Sequence, residues 1–361
     1  MIITRPWLAA VAVCLFIGCT DNNQTAGGGS GGATGSADGK STAPAKDAPD
    51  LSSLSGTVTI DGSSTLYPVT EAVAEEFQKA TKNNVHVTVG HGGTGSGFKR
   101  FARGEIEVCD ASRPALQADL DALAAANIEF IEIPVCFDAL TVAVHPSNKL
   151  DSIKVSELKK MWEPEAQGKV SRWNLVNPDW PDAELALFGA GSESGTFDYF
   201  TEAIVGKAKS SRGDYSPNED DNALVQGIAG NKGALGYIPF YYYEENTDKL
   251  KALAIDWDKN NTGPVAPTLA NVESGKYNPL SRPLFIYVNK KAAERPEVKS
   301  LVEFYLKNAL ELVTEIKYLP LPDIAYAHGL ERFANLQTGT AFEGKQAIGL
   351  SIDEILKRQP H

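Results

Sequence analysis

Past residue 55 the chain alternates between two hydrophobic periods. "GTVTI" (56–60) and "VHVTV" (85–89) place β-branched apolar residues at every second position, the pattern of half-buried strands. Between them, "VTEAVAEEFQKA" (69–80) sets Val69, Ala72, Val73 and Phe77 on one face of a 3.6-residue period and predicts an amphipathic helix. The alternation continues. "IEFIEIPV" (128–135), "ALTVAVHP" (139–146), "ELALFGA" (184–190), "ALGYIPF" (234–240) and "RPLFIYVN" (282–289) are expected as strands. "GFKRFARGE" (97–105), "VSELKKMW" (155–162, capped by Ser156), "TFDYFTEAIVG" (196–206), "NALVQGIAG" (222–230) and "PEVKSLVEFYLKNAL" (296–310) are expected as helices. Such repeated strand–helix succession specifies α/β architecture with largely parallel sheets.

The first 55 residues follow other rules. Arg5 precedes an eleven-residue apolar run from Trp7 to Ile17, too short for a permanent membrane span and suited to a secretory signal. It ends in Phe16-Ile17-Gly18-Cys19, similar to a lipobox in which Cys19 is lipidated and becomes the new N-terminus; the alternative is an ordinary secretory peptide cut elsewhere. Residues 19–55 are then a Gly-, Ser-, Thr- and Ala-rich tether with few apolar anchors.

Charge and cysteines narrow the chemistry. The net charge is −12 with no dense basic run, which excludes a nucleic-acid binder. Beyond Cys14 and Cys19 only Cys109 and Cys136 remain, in an export context either a disulfide or two buried thiols. There is no CxxC or CxxH spacing and only five histidines, so neither metal nor cofactor is expected.

One design recurs at three strand-to-helix junctions. The first carries Gly62, Ser63, Ser64 and Thr65, the second Thr94, Gly95, Ser96 and Gly97, and the third Ser192, Ser194, Gly195 and Thr196. The first amides of a helix lack intrahelical partners, and the aligned peptide dipoles place partial positive charge there. Glycines admit an anion to the backbone and hydroxyls add donors, so converging junctions would cage a small oxyanion. Each junction alone is equally a capped turn. Gly90-His91-Gly92-Gly93-Thr94-Gly95 also fits G-x-G-x-x-G, with Asp110 twenty residues beyond Gly90, but export disfavours a nicotinamide site. Neither a Walker A lysine nor a G-x-S-x-G elbow is present. Arg113 could supply a bidentate cation or a surface ion pair. Asp110, with Asp61 and Glu193 as alternatives, could accept a proton from the ligand and so separate hydrogen phosphate from sulfate. "YYYEE" (241–245) and Trp162, Trp173 and Trp180 are expected to pack.

In order along residues 56–345, "DGSSTLYPVTEAVAEEF", "GGTGSGFKRFARGEIEVCDASRP", "IPVCFDALTVAVHPSN", "SGTFDYFTEAI", "VQGIAGNKGALGYIPF" and "PLSRPLFIYVN" resemble the phosphate-binding lipoproteins of bacterial phosphate-specific ABC importers, the cyanobacterial-like branch among them. The resemblance implies a type II periplasmic-binding fold with two α/β domains on a hinge. Residues 56–140 with 283–361 would form the first domain and 141–282 the second, with "FDALTVAV" and "RPLFIYV" crossing between them. It implies phosphate ligands at Ser64, Thr65, the Leu66 amide, Thr94, Ser96, Ser194, Gly195 and Thr196. The family's arginine before the third junction is missing, since Gly189-Ala190-Gly191 stands there, and its acceptor aspartate maps near Ser112. Arg113 and Asp110 are inferred in their place. The implied role is a monomeric receptor in the periplasm or cell envelope, lipid-anchored, without enzymatic activity, delivering phosphate to permease subunits. The alternatives are another oxyanion (sulfate, phosphonate, molybdate) or a secreted phosphatase.

Overall fold

The computed structural model describes residues 51–259 and 262–358. The signal, Cys19 and most of the tether lie outside the described residues. The tether reading ends earlier than expected: Leu51–Ser53 forms a 3-10 turn, and the Asn84 amide donates to the Ser52 carbonyl at 3.1 Å. Among the described residues no helix is long and apolar enough to cross a membrane.

Eight strands form one continuous hydrogen-bonded path. They are β1 (Gly56–Gly62), β2 (Val85–Val89), β3 (Val108–Ala111), β4 (Phe130–Val144), β5 (Ala186–Ala190), β6 (Ser216–Asn218), β7 (Ala234–Pro239) and β8 (Ser281–Asn289). Their order is β2-β1-β3-β8-β4-β7-β5-β6. At each end the neighbours run parallel: β1 with β2 and β3, and β5 with β6 and β7. The centre is antiparallel, β8 against β3 and β4, and β4 against β7. The expected parallel sheets are thus two separate halves joined by antiparallel strands.

The joint is β4. Two strands are predicted for residues 128–146, but the structure has one of 15 residues. Its first part pairs with β8 through Ser281↔Ala139, and its last part pairs with β7 from Leu140↔Pro239 to Val144↔Leu235. Asp138, which the resemblance put in a crossing strand, lies at the change of partner and is buried within β4. Pro134, which has no N–H to donate, sits beside the register shift opposite Leu284/Phe285.

The main helices are α1 (Tyr67–Ala80), α2 (Thr94–Ala102), α3 (Gln117–Ala125), α4 (Val155–Trp162), α5 (Gly195–Val205), α6 (Asp221–Gly230), α7 (Pro296–Glu315) and α8 (Asp323–Ala334). In α1, Val69, Val73 and Phe77 are fully buried, as the apolar stripe requires. The α4 cap differs from expectation. Ser156 lies inside the helix, and the Glu157 carboxylate accepts the Lys154 amide at 2.9 Å.

The expected packing role of the aromatics holds at Trp162, which meets Phe200, Tyr215 and Tyr237 edge-on at 5.0–5.3 Å. Trp173 and Trp180 meet each other at 5.7 Å. Tyr242 is buried, and its hydroxyl donates to the Ser64 carbonyl at 3.3 Å. Cys109 and Cys136 are buried free thiols, on β3 and β4 with β8 between them.

Phe200 is wholly buried and stacks on Tyr237 with ring centres 3.7 Å apart. Phe200→Ala is expected to lower stability by about 3–5 kcal/mol, read from urea unfolding of the variant against the parent.

Candidate functional site

The three hydroxyl-rich junctions meet. At the first, β1 ends at Gly62, and Ser63 Oγ accepts the Leu66 amide at 3.2 Å. At the second, Gly93 begins α2 with φ 91°. At the third, Ser194 caps α5, its Oγ accepting the Thr196 amide at 3.1 Å. Thr65 Oγ1 of the first lies 3.2 Å from Thr196 Oγ1 of the third. Thr94 Oγ1 of the second lies 3.1 Å from Ser112 Oγ, and a Cβ on Gly195 would come within 2.6 Å of Thr94 Oγ1. These side chains, drawn from both halves of the sheet, are almost completely buried.

The glycines of the second junction have a contact of their own. The Gly95 amide donates to the Glu193 carbonyl at 2.8 Å, and a Cβ on Gly93 would stand 2.6 Å from that oxygen. The backbone approaching this loop is therefore the third junction itself. At Gly93 a side chain would meet both an unfavourable φ and a collision.

Two charged groups in the cluster escaped the sequence reading. Arg282, at the start of β8, is 0% exposed. Its Nε and Nη2 donate to Asp138 Oδ2 at 3.2 and 3.0 Å, and Nη2 also reaches Thr196 Oγ1 at 2.9 Å and Thr65 Oγ1 at 3.2 Å. Its Nη1 is buried with no hydrogen-bond partner among the described residues. A guanidinium nitrogen so placed has a high cost unless something else accepts from it. Asp221, the first residue of α6, accepts from Ser64 Oγ at 3.0 Å. Burial pushes its carboxyl up to about 7, against the opposing pull of the Ser64 hydrogen bond and Arg282. A serine–aspartate bond across 157 residues has no local signature. Arg282 was visible in "LSRPLF", but its setting in an apolar run reads as a strand boundary.

The residues inferred as charge substitutes lie elsewhere. The Arg113 guanidinium is engaged by Asp198 at 2.7 Å, by Asp119 at 2.6 Å and by the Pro114 carbonyl at 3.0 Å. It braces β3 against α5, and the structure does not present it as the open cation of the cluster. Asp110 lies within β3, its carboxyl toward Thr70 of α1 and Tyr305 of α7. Neither oxygen has a hydrogen-bond partner among the described residues, and burial pushes this carboxyl up to about 8. The alternative acceptors are also committed, Asp61 to Arg100 and Glu193 to Lys99. Ser96 is half-buried beside Gly92, and no hydrogen bond joins it to the cluster among the described residues. The Leu66 amide is already occupied by Ser63. No group of His, Cys, Asp and Glu able to hold a metal occurs among the described residues.

Two parallel half-sheets, joined through antiparallel strands and meeting at helix N-termini, have the architecture of a periplasmic-type binding protein. Residues 38–309 match the PBP superfamily domain, and the chain belongs to that superfamily. It is 48% identical over 302 residues to the protein SphX of Synechococcus elongatus, covering 84% of this chain and 88% of that one. It is 33% identical to the phosphate-binding protein PstS of Staphylococcus aureus, covering 78% and 83%. Among solved structures, a possible phosphate binding protein from Planctomyces limnophilus aligns with TM-score 0.60 and 46% identity, covering 79% of this chain and all of that one. The fold is the type II periplasmic-binding fold, as the resemblance implied.

Removing Arg113 would leave Asp198 and Asp119 facing each other in a dry setting. Arg113→Met is expected to cost about 3–5 kcal/mol of stability, measured by urea unfolding. Asp110 makes stability depend on pH. Between its ordinary value of 3.8 and the folded value of about 8, the native state keeps a proton that the unfolded chain releases. Stability of the ligand-free protein therefore falls as pH rises through that window. Asp110→Asn should flatten the fall in melting temperature between pH 4 and 8, leaving the smaller slope from Asp221.

Proposed function

We propose that this chain captures inorganic phosphate between the two halves of its sheet and delivers it to the permease of an ABC importer. The observation that carries the reading is the buried, unpartnered Nη1 of Arg282, set among Thr65 and Thr196 at converging helix N-termini. An anion accepting from that nitrogen would satisfy it. The Thr65, Thr94, Ser194 and Thr196 hydroxyls and the Gly195 amide at the start of α5 supply the remaining donors. The names of the similar proteins from Staphylococcus and Planctomyces support phosphate as the anion.

Arg282 takes the role first inferred for Arg113, and Asp221 that of Asp110. Asp138 already balances the Arg282 charge, so little net positive charge remains for the ligand. Fixed dipoles then hold the anion, and Asp221 accepts the proton that hydrogen phosphate carries and sulfate lacks. Ser64 orients Asp221, and Leu66 and Ser96 shape the loops around the ligand. Residues 56–140 with 283–361 and residues 141–282 act as two lobes that part at β4 and β8 to admit it. The protein acts outside the cytoplasm, held to a membrane through lipidated Cys19, as a monomer without cofactor. It is a receptor and not an enzyme, a reading that the names of the similar proteins support.

The test is calorimetry with phosphate, arsenate, sulfate and molybdate. Phosphate and arsenate are expected to bind one-to-one and sulfate not to bind. Arg282→Gln should weaken phosphate on the order of a hundredfold, the loss of a charge-assisted bond in a dry site. Asp221→Asn should narrow the preference for phosphate over sulfate. Sulfate binding more tightly than phosphate in the parent protein, or turnover of a chromogenic phosphate ester, would overturn the proposal.

A further inference from the structure

A cavity of about 290 Å³ lies away from the hydroxyl cluster. Glu132, Ile133 and Pro134 of β4 form one wall, α8 a second, and the C-terminal stretch from Ala341 to Arg358 a third. The size falls at the low end of small-molecule pockets.

Its charge is unusual for this chain. Every other arginine among the described residues is ion-paired with a carboxylate, as Arg100 is with Asp61 and Arg295 with Glu107. Arg332 and Arg358 are not, and both line this cavity. Arg332 is half-buried, and among the described residues its Nε and Nη2 donate to the carbonyls of Gln337 at 3.2 Å and Gly339 at 2.6 Å, with the Glu132 charge nearby but not in direct contact. Burial lowers its affinity for the proton, which a bound anion would restore. Arg358 donates to the Ala341 carbonyl at 3.3 Å, and its guanidinium lies 5.3 Å from the centre of the Phe342 ring. The buried carboxylate in the wall is fully occupied: Glu132 accepts from the Tyr287 and Thr340 hydroxyls and the Ala341 amide. Glu331, at the rim, is exposed to solvent. In a protein of net charge −12, two arginines without a direct ion pair around one cavity, with Glu132 committed to other donors, leave guanidinium groups able to meet an anion. Ile133, Pro134, Ala325, Phe342 and Ile355 supply the apolar part of the lining, beside the polar His328, Asn335 and Gln337.

We propose that this cavity is a second ligand site, for a small organic carboxylate with an apolar body. The carboxylate lies between Arg332 and Arg358, and the apolar body rests on Ile133 and Phe342. An inorganic anion would satisfy the arginines but leave the apolar lining uncovered, so phosphate is the poorer occupant.

The probe is 4-fluorobenzoate, observed by fluorine NMR with the full-length protein saturated with phosphate, and 4-fluorobenzamide is its neutral counterpart. The benzoate is expected to bind one site with Kd of about 1 mM, the range that ligand efficiency gives a fragment. The benzamide should bind at least about tenfold more weakly. Arg332→Gln and Arg358→Gln should each weaken the benzoate about tenfold, while Arg332→Lys retains most of the binding. Arg358 lies in an exposed terminal stretch, so its variant reads binding without a folding defect. Equal binding of benzoate and benzamide, no benzoate binding at about 10 mM, or unchanged benzoate affinity in Arg358→Gln would overturn the proposal. So would displacement of the benzoate by further phosphate at a comparable concentration, which would identify a site for inorganic anions.

Discussion

The buried pair between Asp138 and Arg282 is the constraint on which the rest of the molecule depends. It sits where β4 exchanges one partner strand for another, so the two sheet halves share one point of electrostatic registry. A dry ion pair is costly to assemble, and its attraction offsets desolvation only when further hydrogen bonds complete the geometry. Here the Thr65 and Thr196 hydroxyls do so from opposite sides of the joint. The arrangement remains incomplete by one nitrogen, and an open donor in so dry a setting is a standing demand for an acceptor.

That view explains how a strongly acidic protein can attract an anion. Long-range field is against it, because net charge governs steering at a distance. On the proposed reading, binding is decided at short range by the buried hydroxyls and the Arg282 guanidinium, which are held in place by their neighbours. The glycine loop contributes indirectly. It lets the Glu193 carbonyl seat against Gly93 and Gly95, and this contact holds α2 and α5 near one another. Backbone packing, more than ligand access, accounts for the glycines there.

Local order was readable from the chain, and long-range partnership was not. The strand–helix succession, the three hydroxyl junctions and the helix α1 stripe each depend on residues a few positions apart. The pairings that decide charge span far more: 144 residues from Asp138 to Arg282, 157 from Ser64 to Asp221 and 85 from Arg113 to Asp198. Arg113 is claimed twice, by Asp119 six residues on and by Asp198 on α5, and only the first of these partners lies within reach of a local reading. Arg282 looked like a strand boundary because its counter-ion is on another strand. β4 read as two strands because it spans two apolar runs, and the counter-ion that keeps Asp138 buried between them is 144 residues away. Asp110 illustrates the converse. Its position in "CDASRP" invited a ligand role, but strand alternation turns its side chain to the helix layer.

The two thiols carry a consequence of their own. With β8 between β3 and β4, Cys109 and Cys136 are separated by two strand spacings, about 10 Å, beyond the reach of a disulfide. Burial also holds both well above the usual thiol range, so neither offers a thiolate to an oxidant. The fold is therefore indifferent to redox conditions. It can mature in an oxidising compartment without a disulfide-forming catalyst, and a reductant has no covalent bond in it to break.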